Sequence, residues 1–207
     1  LSLSHYFKSF GVATVSVFYK DLDGPIYDEI RTLEGADEQA MALTNQYYSN
    51  PLDQPEWSTS VMKNAGEGKL YGLEISVEKR FTELPGWWSG FGLAANASWI
   101  DSEVALLAEE RLGEVVPLFL QSDQLANVSI FYDRSNWLIK LSWNFRGKYL
   151  DNSILAGTDI DFIEDKLGLK ASALDRWIDD FERLDLLVEY RPLPWMVLYV
   201  EGTNILD

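Results

Sequence analysis

Apolar and polar residues alternate with a period of two along most of the chain. From Trp137 to Tyr149 the odd positions are apolar, aromatic or glycine, whereas the even positions include Lys140, Arg146 and Lys148. Successive side chains of a β-strand point to opposite faces, so this alternation predicts a strand with one apolar and one polar face. A helical period would spread the same charges around the whole circumference.

The same alternation occurs in other segments and predicts about eight strands, each of about nine to eleven residues, which is the length that a tilted strand needs to cross a lipid bilayer. The connections alternate in length, with long ones at about residues 34–60, 103–120 and 151–180. Short turns at one end and long loops at the other are typical of outer-membrane barrels. The predicted strands are Leu1–Phe7, Val12–Lys20, Lys69–Phe81, Phe91–Ser102, Leu125–Asp133, Trp137–Tyr149, Phe181–Arg191 and Trp195–Glu201.

The two faces of these strands suit different media. The polar face is charged at Glu74, Glu78, Arg80, Lys140, Arg146, Lys148, Asp185, Glu189 and Glu201. A sealed small core cannot hold so many charges, because unpaired buried charges are very costly. The apolar face places aromatic residues near strand ends, where the rings of a membrane barrel form girdles at the lipid boundary. We therefore expect lipid on the apolar side and water on the polar side, although these aromatic residues could also form the core of a soluble barrel or sandwich.

Composition narrows the function classes further. The chain has 17 basic and 33 acidic residues, and its net charge of −16 argues against nucleic-acid binding, since that needs a basic surface. It has no Cys, which excludes disulfides, thiolate metal sites and Cys nucleophiles. Its one His, His5, argues against a His-based catalytic triad and is expected to be structural. No stretch contains about 18 consecutive apolar residues, so no transmembrane helix is expected.

Five segments of the chain carry motifs that occur together in one family. Val12–Asp23 is a hydrophobic strand with Phe-Tyr-Lys-Asp near its end, and Gly68–Ser76 begins Gly-x-x-x-Gly-hydrophobic-Glu. Leu84–Asn96 supplies the next turn and strand. The late strands are represented by Leu184–Asp185 and by Val200–Asp207, which contains Gly-x-Asn-Ile-Leu-Asp. In this order the five segments resemble the C-terminal half of the barrel of TonB-dependent outer-membrane receptors.

This resemblance implies a fold and a function. The fold would be an antiparallel transmembrane β-barrel of about 22 strands with a plug in its lumen, of which residues 1–207 would supply about eight meandering strands. The function would be energised uptake, through TonB, of a scarce ligand such as an iron–siderophore complex, a cobalamin or an oligosaccharide. The partners would be outer-membrane lipid and lipopolysaccharide, the receptor's own plug, TonB and a small-molecule ligand, in the bacterial outer membrane.

The sequence departs from the full family pattern, and it is therefore expected to be a fragment. The plug, the TonB-contacting segment and the family's last strands are not among residues 1–207. We expect that this piece does not fold or transport alone, because an open arc leaves two unpaired strand edges that lipid cannot satisfy.

Candidate chemistry on the predicted strands is limited. Glu74 and Glu78 lie on one face of one strand, about 13 Å apart at about 3.3 Å per residue, which exceeds the separations that glycosidases use. We therefore interpret them as charges that face the lumen, paired with Arg80 or Lys140. The chain is expected to be a transporter without catalytic residues or a cofactor. We expect the long connections to touch ligand or plug, together with the polar-face residues Glu74, Lys140, Arg146, Lys148 and Glu189.

The long connections are acidic, which raises the question of metal binding. Carboxylates are ligands for Ca²⁺, but the segment Asp21–Gly24 lacks the remaining spacing of an EF-hand loop. We expect solvated loops that attract divalent ions bridging to lipopolysaccharide, and no specific metal site. Two of these segments, Ser102–Leu112 and Thr158–Ile178, are expected to be partly helical.

Two other functions remain open from the sequence. A soluble, lipocalin-like binding barrel would seal Trp137, Ile139, Leu141 and Trp143 inside. A β-sandwich enzyme that processes glycans would need close carboxylates that converge in a cleft.

Overall fold

The computed structural model describes residues 1–9, 11–33, 57–107, 111–152, 165–166 and 168–206. Within these ranges the chain forms β-strands and two single-turn 3₁₀ helices, Gly86–Gly90 and Ala171–Leu174. The chain is therefore all-β, as its period-two pattern predicts. The strands are β1 (Ser2–Tyr6), β2 (Gly11–Leu22), β3 (Ile26–Leu33), β4 (Trp57–Asn64), β5 (Gly68–Arg80), β6 (Phe91–Ala105), β7 (Val115–Val116), β8 (Gln124–Arg134), β9 (Trp137–Arg146), β10 (Tyr149–Asn152), β11 (Arg176–Ile178), β12 (Phe181–Leu193) and β13 (Met196–Gly202).

Eight strands form one continuous antiparallel meander in the order β1-β2-β5-β6-β8-β9-β12-β13. The short turns lie at one end of this sheet, and the long connections, residues 23–67, 106–123 and 147–180, lie at the other. This confirms the predicted strand order and the alternation of connection lengths. Within the described residues β1 and β13 remain edge strands, so the sheet does not close on itself.

Five short strands lie in or beside connections that the sequence pattern left unassigned. β3 and β4 form a hairpin between β2 and β5, β7 pairs with the end of β6, and β10 pairs with β11. The expected single strand from Trp137 to Tyr149 is divided into β9 and β10. The division falls at Gly147, whose backbone approaches the start of β8 so closely that an added Cβ would lie 3.2 Å from Gln124 Cβ.

Of the two segments expected to be partly helical, Thr158–Ile178 contains the 3₁₀ helix Ala171–Leu174, whereas the start of Ser102–Leu112 is a strand. Residues 102–105 continue β6, and Arg176–Ile178 is β11. The backbone of Leu106 is hydrogen-bonded to residues that follow a reversal of the chain. Leu106 N donates to Glu114 O at 2.8 Å, and Gly113 N donates to Leu106 O at 2.9 Å. Residues 108–110 and 158–164 lie outside the described residues.

The register brings the apolar rows of successive strands onto one face of the sheet. Val15 lies opposite Ile75, Ile75 opposite Ala97, and Ala97 opposite Ala126. Val15, Ile75 and Leu141 are 44%, 39% and 38% exposed. No protein layer formed by the described residues seals these side chains, which are nonetheless apolar and adjacent.

The small buried core lies at the long-connection end of the sheet. Tyr27, at the start of the β3–β4 hairpin, stacks on Phe119 with ring centroids 5.9 Å apart. Leu120 N donates to Leu150 O at 2.8 Å. The three long connections therefore pack on one another beyond the end of the sheet. The buried apolar residues are Tyr27, Ala65, Val104, Leu106, Val116 and Leu150.

Candidate functional site

Small hydroxyl and amide side chains line the polar face, which we call the polar wall. Asn127 Nδ2 donates to Asn96 Oδ1 at 2.9 Å, and the hydroxyls of Ser129 and Ser142 share a hydrogen bond of 2.9 Å. Each bond joins directly opposed positions of neighbouring strands, the unit in which sheet side chains interact. The wall can therefore hydrogen-bond to water or to a second polar surface.

Ion pairs cluster on the wall near the short turns. Arg80 Nη1 lies 3.2 Å from Asp133 Oδ2, and Arg191 Nη2 lies 2.9 Å from Glu189 Oε2. Glu189, one of the residues expected to contact ligand or plug, is therefore already paired. Arg80 pairs with Asp133 instead of the glutamates that the sequence suggested.

Three other candidate charges stand on the wall without such pairing. Glu74 and Glu78 are exposed on β5, and neither makes an ion pair with any residue that the structure describes. Lys140 lines a recess of about 180 Å³ together with Asp185 and Glu201. These charges therefore face the open side of the wall.

Arg146 and Lys148 belong to the long-connection end. Arg146 is the last residue of β9, and its guanidinium lies 4.8 Å from the ring centroid of Tyr149. Lys148 lies beyond β9, with Nζ 5.5 Å from the ring centroid of Trp177. The five candidate residues are thus spread along the sheet and form no single cluster.

Two aromatic rings of the wall lie over glycines of the neighbouring strand. A Cβ added to Gly72 would lie 2.7 Å from Phe18 Cζ, and one added to Gly92 would lie 2.1 Å from Phe131 Cζ. The guanidinium of Arg80 in turn lies 5.3 Å from the centroid of Phe131. The absence of a side chain at these two positions lets the rings lie flat on the sheet.

Aromatic residues border the apolar face at the short-turn end. Their rings contact one another in pairs, with centroids 3.9–5.1 Å apart. Rings of this kind favour a boundary between apolar and aqueous surroundings. The three pairs are Trp87–Trp88, Phe91–Tyr132 and Trp137–Tyr190.

The apolar face ends at a second boundary near the long connections. Tyr71 Oη donates to Asp101 Oδ2 at 2.5 Å, and the next row of this face is Asp21, Lys69 and Glu103. Tyr71 and Phe81 are ten residues apart, which is about 33 Å along a strand and about 25 Å along the axis of a barrel whose strands tilt by about 40°. Lys79 is the one charged residue on this face of the strand between the two rings, and its Nζ lies 2.8 Å from Glu83 Oε1 at the short-turn end. The face from Tyr71 to Phe81 therefore has about the height of the lipid-facing band of membrane barrels, with one cation near its short-turn border.

A recess of about 320 Å³ opens among the long connections, and we call it the outer recess. All three connections contribute to it, so it depends on the packing described above. It combines apolar and aromatic side chains with two carboxylates and one arginine. The lining residues are Ile26, Tyr27, Asp28, Met62, Phe119, Leu120, Asp151 and Arg176.

A buried arginine joins two of the long connections. The Arg111 side chain is 1% exposed, and it donates to both carboxylate oxygens of Glu114, at 2.6 and 2.7 Å, and to both of Asp175, at 2.5 and 3.1 Å. These hydrogen bonds raise the pKa of Arg111 and hold the pKa of Glu114 below its usual value. Arg111 therefore fixes residues 111–114 against residue 175.

Charge is distributed unequally along the sequence. Residues 23–67 hold nine carboxylates against two basic residues, residues 106–123 hold four against one, and residues 147–180 hold eight against four. These 21 acidic and 7 basic residues leave 12 and 10 for the rest of the chain. The three long connections accordingly carry most of the negative excess of the sequence.

Three further features of the described part of the chain concern metal ligands, the role of His5 and membrane-spanning helices. No group of three His, Asp or Glu side chains there converges as metal ligands would. His5 lies on β1, and its ring packs edge-on against Phe7 with centroids 5.0 Å apart. Among the same residues no helix is long and apolar enough to span a membrane.

The family of the chain is decided by a comparison with protein-family models. Residues 1–205 match the model described as TonB dependent receptor-like, beta-barrel. The chain belongs to this family. The resemblance found in the five sequence motifs is thereby confirmed. A search of curated proteins finds no match.

Solved structures of TonB-dependent receptors share the fold. The unliganded ferric citrate transporter FecA is 13% identical with a TM-score of 0.60, and the match covers 100% of this chain and 26% of that one. A mutant ferric enterobactin receptor PfeA from Pseudomonas aeruginosa is 13% identical with a TM-score of 0.57, and the match covers 100% of this chain and 25% of that one. The siderophore receptor PiuA from Acinetobacter baumannii is 12% identical with a TM-score of 0.56, and the match covers 98% of this chain and 23% of that one. The chain therefore spans about a quarter of the length of these receptors.

Sequence reasoning missed the outer recess and the Arg111 junction. The recess is assembled from residues more than a hundred positions apart, and no periodic pattern reports such packing. Arg111 did carry a signal, because it is the one basic residue among six carboxylates in residues 101–123. A lone arginine in so acidic a stretch is a candidate for a buried ion pair.

Proposed function

We propose that this chain forms an arc of an outer-membrane receptor that imports a scarce small ligand, such as an iron–siderophore complex, a cobalamin or an oligosaccharide, with energy supplied through TonB. The observation that carries the proposal is the uncovered apolar face, bordered by aromatic residues at two levels about 25 Å apart and backed by the polar wall. Lipid covers the apolar face, and the wall lines a water-filled lumen.

The arc is completed by strands outside residues 1–207. β1 and β13 are the edges of the described sheet, and unpaired backbone groups are not tolerated in lipid. Pairing of both edges within a barrel of about 22 strands removes this cost. The unpaired Glu74 and Lys140 then face the plug or the ligand across the lumen.

The alternatives have less support. The lipocalin-like interpretation requires Trp137, Ile139 and Leu141 to be sealed inside, whereas they are 44%, 38% and 38% exposed. An enzyme that processes glycans requires converging carboxylates, whereas Glu74 and Glu78 lie along one strand. The family is one of receptors, which favours transport without catalysis.

Uptake by the full-length receptor tests the proposal. The receptor is expressed in a bacterium that lacks its own receptors for the ligands tested. Accumulation of labelled ferric citrate, ferric enterobactin, ferrichrome, ferrioxamine B, cobalamin and an oligosaccharide mixture is measured with and without TonB. We expect accumulation of at least one ligand that requires TonB. Purification of the receptor as a water-soluble protein, or correct membrane insertion without any such uptake, contradicts the proposal.

A further inference from the structure

The outer recess offers an apolar surface next to a carboxylate. Its volume of about 320 Å³ is within the range of small-ligand sites. Ile26, Met62 and Leu120 are exposed at its rim, as is Asp28. An amphipathic molecule can therefore contact apolar side chains and a charge at the same place.

The charge of the recess is negative. The positive charge of Arg176 is balanced by its ion pair with Asp151. Asp28 makes no ion pair with any residue in the described part of the chain. The recess therefore has one carboxylate in excess, and the three long connections that contribute to it hold 21 acidic and 7 basic residues in sequence.

Among the residues that line the recess Arg176 is the one basic side chain, and two basic side chains elsewhere in the connections are engaged by other groups. Arg111 is buried between Glu114 and Asp175. Lys148 lies against the ring of Trp177. A polyanionic ligand would thus lose its water without gaining a set of cationic partners, and it would be repelled at longer range by the acidic connections.

We propose that the outer recess binds a positively charged, amphipathic small ligand and disfavours polyanionic ferric complexes. The inference rests on the proposed function and names the substrate class of the receptor. The apolar part of the ligand packs on the rim at Ile26 and Met62, and its cation faces Asp28. The acidic connections concentrate such cations at the mouth of the barrel.

Binding of three ferric complexes to the full-length receptor in detergent tests this charge preference. Ferrioxamine B carries a pendant ammonium, ferrichrome is neutral, and ferric citrate is anionic. Quenching of tryptophan fluorescence gives the three dissociation constants. We expect ferrioxamine B to bind most tightly and ferric citrate most weakly, about tenfold or more apart, with a difference that shrinks as salt screens the charges.

Three variants locate the preference in the recess. Asp28→Asn is expected to raise the dissociation constant of ferrioxamine B about fivefold and to leave that of ferrichrome nearly unchanged. Asp23→Asn, which removes an exposed carboxylate of the same connection outside the recess, is the matched control and is expected to change binding less than about twofold. Arg176→Gln, which removes the cation that pairs with Asp151, is expected to lower the dissociation constant of ferrioxamine B.

The outcomes separate this inference from the proposed function. The inference is overturned if ferric citrate binds as tightly as ferrioxamine B, or if folded receptor does not bind ferrioxamine B at all. It is also overturned if Asp28→Asn and Asp23→Asn have equal effects on binding. TonB-dependent uptake confined to a polyanionic complex overturns it as well, and leaves the proposed function standing. Absence of any TonB-dependent uptake instead overturns the proposed function.

Discussion

Gly92 and Phe131 fill one space between two strands of the polar wall. A methyl group at position 92 would lie 2.1 Å from Phe131 Cζ, so the ring must move. We expect Gly92→Ala to lower the free energy of unfolding of the full-length receptor by about 1–3 kcal/mol, measured by urea titration in detergent. The control is a double-mutant cycle with Phe131→Ala, in which the cost of Gly92→Ala becomes small. An equal cost in both backgrounds would show that the ring does not occupy this space.

Leu141 and Ser142 are neighbours on β9 that face opposite sides of the sheet. Leu141 lies midway between Trp137 and Phe145 on the apolar row, near the middle of the face that we propose to meet lipid. Leu141→Arg is expected to cost roughly 2–4 kcal/mol, measured as the free energy of unfolding in lipid vesicles. Ser142→Arg lies beside Asp185 on the polar wall and is expected to cost much less. Similar costs for the two variants would rule out a lipid-facing row at Leu141.

Among the elements, the eight strands of the meander could be predicted from the sequence and the five short strands could not. The long strands alternate over ten or more residues in most cases, because each carries one apolar and one polar face. β7, β10 and β11 have two, four and three residues, which is too short for a periodic signal. β3 and β4 are longer, but residues 34–56 separate them, and their pairing is not encoded in either segment alone.

The Arg111 junction is expected to hold two connections together. Arg111→Gln leaves Asp175, whose side chain is 5% exposed, without its cation, at a cost of roughly 3–5 kcal/mol to the junction. The distance distribution between spin labels at Leu112 and Leu169, measured by electron paramagnetic resonance in the full-length receptor, should broaden. Arg176→Gln is the control, since the Arg176 side chain is 67% exposed and its pair with Asp151 contributes less than about 1 kcal/mol. An unchanged distribution in Arg111→Gln would contradict a clamping role.

Acid should loosen the same junction. Arg111 lowers the pKa of Glu114 from its ordinary value of 4.5, so ionised Glu114 stabilises the packed connections above that value. This contribution is lost as the pH falls from about 4.5 through the lowered pKa of the folded state. The Leu112–Leu169 distribution is therefore expected to broaden progressively as the pH falls below 4.5 in the wild type. In Glu114→Gln the pH dependence should be reduced, and a wild-type distribution constant down to pH 3 would disprove the contribution of Glu114.

For the molecule as a whole, the sequence predicts the two faces but not the recess. The polar wall and the apolar band follow from alternation, because each strand reports its own two sides. The outer recess joins Tyr27, Phe119 and Arg176, and only the packed connections bring them together. The acidity of the connections is visible in the sequence, whereas their meeting at one end requires the topology.

On the proposed function, the apolar rows meet lipid and the polar wall meets water. Single nitroxide labels at each position from Trp137 to Arg146, in the full-length receptor in bilayers, measure this directly through their accessibility to oxygen and to a water-soluble nickel complex. We predict a period of two, with odd positions accessible to oxygen and even positions accessible to nickel. The opposite phase, or accessibility without alternation, would contradict the account.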